Sequence, residues 1–221
     1  MLNKILDCMR NGKMDSNVLN LDYIEFKDDD EAESWGKKHY NVWSQQYKEN
    51  MYVAKKVITT SCMSASVECY CGYNYRQINE YLRFGTIENE STLYREMAYT
   101  LSIILSMAPR IPDNVIVYRL VCDEFIHKLI QNNKDEIPTQ EKGFISTSLT
   151  RGIVKSEEFY SSHKNILKIY VKANTVGIYV NCIERRSEQE LLLYPNGYFK
   201  LLKKPYKENG KIIYECELFY F

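Results

Sequence analysis

The hydrophobic period of this 221-residue chain changes once, near its middle, and that change limits the architecture more than any other feature. In the first half, Ala32, Trp35, His39, Trp43 and Tyr47 recur at spacings of three or four, which is one face of an amphipathic helix. Asp28, Asp29 and Asp30 precede it and supply an N-cap and a negative first turn. Tyr75, Ile78, Asn79 and Leu82 form a second, shorter stripe. Leu93, Met97, Leu101, Ile104, Leu105 and Ala108 form a third, closed by Pro109 and Pro112. The second half turns to β-branched and aromatic runs punctuated by Gly, Pro and Asn. Strands are expected over 115–121, 144–149, 165–171, 177–180, 190–193, 198–203 and 212–221, with one helix over about 123–131. Helices first and strands later predict an α+β fold, with helices packed against antiparallel sheets.

Composition narrows the function classes. Lys plus Arg and Asp plus Glu are equal at 29 each, so the formal net charge is zero. A protein whose main task is to coat nucleic acid needs a cation excess to displace counterions. The seven cysteines are odd in number, and a chain of this size needs no disulfide scaffold. Cys69 and Cys71 lack a second cysteine pair, and His39, His127 and His163 match no metal spacing. Reduced thiols and no metal are expected. Met1 to Arg10 lacks the apolar core of a secretory signal, and no run of about 18 apolar residues predicts a membrane span. The expectation is a soluble protein working in a reducing compartment.

Three short motifs carry chemistry. Arg119 ends Val-Tyr-Arg inside an otherwise apolar strand. It is either a core-edge ion pair or a planar fork for phosphate oxygens. Lys142-Gly143-Phe144-Ile145-Ser146-Thr147-Ser148 brings a glycine into a strand with alternating hydroxyls. That reads as an exposed edge, or as Ser146 orienting a nearby carboxylate. Ser187-Glu188-Gln189-Glu190 precedes an apolar run, Leu191 to Leu193. Carboxylates two residues apart on a strand share one side and repel, which tends to raise at least one pKa. A solvated edge tolerates that, but Glu190 opens the apolar run and so falls at the rim of the core, where acid, base or electrostatic work is done.

Taken in order on successive strands, Arg119, Ser146-Thr147-Ser148 and Glu188-x-Glu190 resemble the Arg-Ser-Glu class of mono-ADP-ribosyltransferases. Within that class the chain is similar to the enzymatic domains of clostridial and bacillary binary toxins and to their single-domain relatives. Asp29 to Tyr40 resembles the family's first helix, and Tyr70, Tyr75, Asn79 and Arg83 match its tyrosines and Ile-Asn-x-x-Leu-Arg segment. The resemblance covers residues 28–221, leaving 1–27 as an N-terminal extension. It implies helices packed on two roughly perpendicular antiparallel sheets, with NAD⁺ as substrate bound between them and no metal.

The resemblance also implies roles. Arg119 holds the NAD⁺ phosphates. Tyr70, Tyr75 and Asn79 line the nucleotide from the helical side, with Gly143 and Thr147 beside it. Ser146 positions Glu190, the catalytic glutamate, which bonds the 2′-hydroxyl of the nicotinamide ribose. Glu188 is the upstream acid used for transfer to arginine; relatives that modify asparagine carry glutamine there. Phe159 is a candidate to stack on the nicotinamide, and Arg151 or Lys155 to meet phosphate. The loop 178–190, with Glu184, Arg185 and Arg186, would meet the target. Many relatives carry a second arginine where Leu120 stands.

The implied function is a toxin or effector that transfers ADP-ribose to an arginine of a target protein such as actin. A translocation, chaperone or antitoxin partner fits such a role, as does action in a cytoplasm, that of its own cell or of a target cell after secretion or injection. The alternatives are a nucleic acid base as acceptor, against which the neutral charge argues, or water as acceptor in NAD⁺ hydrolysis. A degenerate binding module is expected to lose its glutamates, and both are present.

Overall fold

In a computed structural model, residues 17–57, 67–85, 91–154, 164–186 and 188–221 are described. Helix α1 spans Asp29–Val57. Its start follows from the acidic cluster: the Glu31 N–H donates to Asp28 Oδ1 at 2.9 Å, and Glu31 returns a carboxylate to the Lys27 N–H. Both bonds satisfy donors that a helix start leaves open. The buried face of α1 carries Ala32, Trp35, Tyr40, Ser44 and Tyr47. The expected stripe is therefore broadened by Tyr40 and Ser44, while His39 and Trp43 are only half-buried.

A short helical stretch, Val67–Cys69, widens into a π-helical turn over Tyr70–Asn74 and continues as α2, Tyr75–Phe84. Gly85 ends α2 in the left-handed region, at φ 80°, and its N–H caps the Tyr81 carbonyl. Helix α3 is Ser91–Met107, and α4 is Asp123–Lys134, three residues longer than the pattern predicts.

The strands are β1 Val115–Val121, β2 Thr139–Glu141, β3 Ile145–Ser148, β4 Asn165–Val171, β5 Gly177–Tyr179, β6 Glu190–Leu193, β7 Gly197–Leu201, β8 Tyr206–Glu208 and β9 Lys211–Phe219. Among the described residues they pair in the order β2-β7-β9-β4-β1-β3-β6-β5, with β8 on β9. The architecture is α+β, as expected. Every pairing is antiparallel except β4 with β9. Strands β2 and β8 were not expected. Thr-Gln-Glu and Tyr-Lys-Glu are too short and polar to show a period.

The sheet has two limbs that meet at one point. Strand β1 pairs with β4 along its whole length but with β3 only at Tyr118↔Ser148. Strand β3 then pairs with β6 through Ser148↔Glu190. Tyr118, Ser148 and Glu190 thus form one row across three strands. The three sequence motifs converge because that row joins them.

Three cores hold the layers together. One lies between the sheet and helices α1 and α4, around Val117, Leu167, Leu191 and Leu129. A second lies under α2 and α3, around Ile78, Leu101, Phe144 and Leu192. The third covers the opposite face of β1 and β4, with Ile116, Tyr118, Ile166 and Tyr170. Val18 packs into this last core, and Ile24 bridges to Val115, so residues 17–27 lie against the sheet.

Gly36 lets α1 approach β5. A Cβ there would lie 2.3 Å from the ring of Tyr179, a fully buried side chain whose hydroxyl donates to Gln189 Oε1. The ring is held at both ends and has no room to yield. Gly36→Ala is expected to lose about 1 kcal/mol net, because overpacking of about 2 kcal/mol exceeds the helix-propensity gain of about 1 kcal/mol for Ala over Gly. For a domain of this size the melting temperature falls by about 2–4 °C. Thermal unfolding followed by circular dichroism tests this, and an unchanged midpoint would show that the gap is compressible.

Candidate functional site

Where the helical layer faces the seam between the two sheet limbs, a cavity of about 290 Å³ opens. Its wall takes Tyr70, Tyr75 and Asn79 from the helices, Arg119 from β1, Ser146 from β3, and Glu188 and Glu190 from the last motif. A second cavity of about 500 Å³ shares Arg83, Arg119 and Leu120 with it. Two chambers flanking a pair of guanidinium groups suit a long ligand with an anionic centre.

Glu190 is 2 % exposed. Ser146 Oγ donates to its Oε1 at 2.6 Å, and Arg186 Nε lies 3.4 Å from its Oε2. The Cys71 thiol is 3.9 Å from the same oxygen. The Glu190 N–H donates to Asn181 Oδ1 at 3.1 Å. Burial pushes the Glu190 carboxyl above the usual carboxylate range, and neighbouring Glu188 adds to this. The Ser146 hydrogen bond, the Arg186 charge and the Cys71 contact pull it part of the way back. Ser146 reaches Glu190 because it stands two residues from Ser148, the register partner of Glu190, on the same face of β3.

Glu188 lies outside β6, contrary to the expected shared strand. The Glu190 N–H donates to the Glu188 carbonyl at 2.9 Å, a three-residue turn rather than an extended step. Both carboxyls still face the cavity. Burial raises the Glu188 carboxyl too, and Arg186 opposes it. Between them, Gln189 turns the other way and accepts from Tyr179. The side chains of 188 and 190 are thereby held on the cavity side.

The helical wall is built on hydrogen bonds. Asn79 Nδ2 donates to the Tyr70 hydroxyl at 3.0 Å, and Asn79 Oδ1 accepts the Phe144 N–H at 2.8 Å. Tyr70 meets Phe144 edge-on at 5.4 Å between ring centroids. Asn79 thus ties α2 to the entrance of β3. Gly143 permits this approach, since a Cβ there would lie 2.8 Å from Asn79 Oδ1.

Sequence reasoning gave no role to Glu141 and no contact to Arg83, which meet beside Arg119. Arg83 donates to both carboxylate oxygens of Glu141, at 2.9 and 3.0 Å, and Arg119 Nη2 lies 3.9 Å from Glu141 Oε2. The Gly143 N–H donates to the same carboxylate at 2.9 Å. Burial pulls the Glu141 carboxyl up, but the Arg83 bonds, the Arg119 charge and the Gly143 amide together hold it below the usual range. Arg83 thereby sets a second guanidinium beside Arg119, on the cavity wall that Leu120 also lines. Its place in the Ile-Asn-x-x-Leu-Arg segment was the available signal. Glu141 offered none, because a Glu-Lys pair before glycine reads as solvated charge.

The expected residues divide accordingly. Tyr70, Tyr75, Asn79, Arg119, Ser146, Glu188 and Glu190 come together. Gly143 sits behind the wall. Thr147 faces the opposite side of β3, buried, and donates to the Leu191 carbonyl at 2.7 Å, so it does not reach the cavity. Arg151 is paired with Glu208 away from the site. Phe159 and Lys155 lie outside the described residues, as does Ser187 of the Glu188 motif. Among the described residues, no group of three or more His, Cys, Asp or Glu side chains is arranged to hold a metal, and no helix is long and apolar enough to cross a membrane.

The sequence profile of the family described as ADP-ribosyltransferase exoenzyme matches residues 32–213. No curated protein sequence matches. Among solved structures, BECa, the ADP-ribosylating toxin of a binary enterotoxin of C. perfringens, is similar with a TM-score of 0.68 and 22% identity. The match covers 90% of this chain and 50% of BECa, so the chain spans half the length of that protein. The C3 exoenzyme of Clostridium limosum is similar with a TM-score of 0.64 and 20% identity, over 91% of this chain and 99% of the exoenzyme. Plx2a, an ADP-ribosyltransferase toxin from Paenibacillus larvae, follows at 0.63 and 18%, over 86% and 96%. These likenesses show a shared fold.

Proposed function

The chain belongs to the ADP-ribosyltransferase exoenzyme family, and on that premise we propose that it is a toxin or effector that splits NAD⁺ and transfers ADP-ribose to an arginine of a target protein. The observation that carries this reading is the pair Glu188 and Glu190 facing one cavity, with Glu190 bonded to Ser146 at 2.6 Å and Arg119 on the same wall.

The chemistry follows from charge. Breaking the bond between ribose and cationic nicotinamide develops positive character at the sugar carbon. A carboxylate fixed beside that carbon stabilises the transition state more than the ground state. Glu190 is suited to this because Ser146 holds one oxygen and the surroundings exclude water. Arg119 and Arg83 are cations on the cavity wall available to the two phosphates, and they leave Glu141 only in exchange for another anion. Tyr70, Tyr75 and Asn79 supply an aromatic and amide wall for the nicotinamide ribose side.

The acceptor assignment rests on Glu188. A guanidinium is protonated at neutral pH and is a poor nucleophile until a base removes a proton. A second carboxylate attracts, orients and deprotonates it, whereas an amide acceptor gains nothing from such a charge. The test is mass spectrometry of a eukaryotic cell lysate incubated with the protein and tagged NAD⁺, with Glu190→Gln as blank. Label on arginine side chains, absent from the blank, is the expected result. Label on asparagine or on nucleic acid, or free ADP-ribose as the sole product, would overturn the acceptor.

A further inference from the structure

Arg186 was expected in the loop that meets the target, but its guanidinium points inward. Nη1 donates to the Cys71 carbonyl across the cavity, and Nε stands 3.4 Å from Glu190 Oε2. The Cys71 carbonyl belongs to the π-helical turn Tyr70–Asn74, where the usual i→i+4 ladder is interrupted. The loop is clamped from behind by one residue. Asn181 Nδ2 donates to the Arg186 carbonyl at 3.2 Å, and Asn181 Oδ1 accepts the Glu190 N–H at 3.1 Å. Residues 186 and 190 are thus fixed relative to each other, with the guanidinium spanning from loop to helix.

We infer that Arg186 is a positioning residue for the NAD⁺-splitting step: it keeps the Glu190 carboxylate charged and aimed, and its role is separate from target recognition. The inference rests on the reading of Glu190 given above. Ser146 occupies one oxygen of Glu190, and Arg186 is the charged partner of the other. The groups that face Glu190 otherwise are Tyr70, Cys71, Glu188 and, through Cys71, Glu184 and Glu68; Arg119 lies farther off across Tyr70. Without Arg186 a mostly apolar and acidic surround remains, in which two carboxyls compete to stay charged. Removing the cation has two opposed effects. It deepens the negative potential of an ionised Glu190, but it also makes protonation easier. For a group this buried the second effect dominates on the acid side.

The experiment compares wild type, Arg186→Gln and Arg186→Lys by two measurements. The first is ¹³C NMR titration of the Glu190 carboxyl without NAD⁺, assigned with Glu190→Gln. The second is nicotinamide release from NAD⁺ with no protein acceptor, followed from pH 5.5 to 8.5. The Glu190 midpoint is expected to rise in Arg186→Gln and to stay near wild type in Arg186→Lys. Hydrolysis by Arg186→Gln is expected to fall about tenfold at pH 6 and to recover to within about threefold at pH 8.5, as one lost interaction displaces the acid limb. An unmoved midpoint in Arg186→Gln overturns the inference, as does an equal displacement in Arg186→Lys, which would mark a shape effect rather than a charge. Wild type that titrates as expected yet releases no nicotinamide would instead remove the functional reading and leave the Arg186–Glu190 coupling in place.

Discussion

Glu190→Gln is expected to lower NAD⁺ hydrolysis and ADP-ribose transfer together, by at least about a thousandfold in kcat, the scale of a principal charge-stabilising group. The amide has the same shape and still accepts from Ser146 Oγ, so the loss measures charge. Stability should move the other way. The folded state raises the Glu190 carboxyl above its unfolded range, because burial outweighs Ser146 and Arg186. A group of that sign favours the fold when protonated, and its contribution is lost as pH rises through its folded value. At neutral pH the ionised side chain therefore costs stability that glutamine does not. The melting temperature of Glu190→Gln should hold or rise by up to about 4 °C at pH 7, equivalent to about 1 kcal/mol. The difference should shrink as pH falls and the wild-type carboxyl takes its proton. Nicotinamide release and thermal unfolding, run on the same two proteins, check both signs. Hydrolysis within tenfold of wild type would remove Glu190 from the reaction.

Much of this site was legible because its polar residues interrupt apolar strands. Arg119 stands in a β-branched run, Ser146 in a strand entered by glycine, and Glu190 at the start of three leucines. Each run buried its strand, and the row Tyr118–Ser148–Glu190 brought the three together. The helices were legible for the same reason, through period and caps. What the period could not show was pairing over distance. Arg186 and Cys71 are 115 residues apart, and their bond depends on a π-helical turn that no sequence pattern marks. Glu141 hid because a buried carboxylate is recognisable only by its partners, here Arg83 and Arg119. Thr147 shows a different failure. Strict alternation from Ser146 puts it on the far face of β3, where it bonds the Leu191 carbonyl instead of facing the cavity. For Glu188 alternation named the right side although the chain turns before β6 begins: both carboxyls face the cavity.

That turn is why Glu188 can work apart from Glu190. Glu190 is locked between Ser146 and Arg186, whereas Glu188 stands half-buried at the cavity edge, free of the β6 ladder. An acid at the rim meets the incoming acceptor; the acid inside meets the sugar. Glu188→Gln is therefore expected to lower transfer to an arginine analogue such as agmatine by about 10²–10⁴-fold, the usual worth of a positioned base. Hydrolysis of NAD⁺, which needs no guanidinium, should stay within about tenfold. Burial raises the Glu188 carboxyl against the pull of Arg186, so the base form is lost at a higher pH than for an ordinary glutamate. Transfer by the wild type needs both carboxylates ionised and should therefore fall more steeply toward acid than hydrolysis, and Glu188→Gln should erase that difference. Parallel assays of agmatine labelling and nicotinamide release across pH measure both. If Glu188→Gln lost the two activities in equal measure, the two carboxylates would be serving one step together, and arginine would lose its claim as the acceptor.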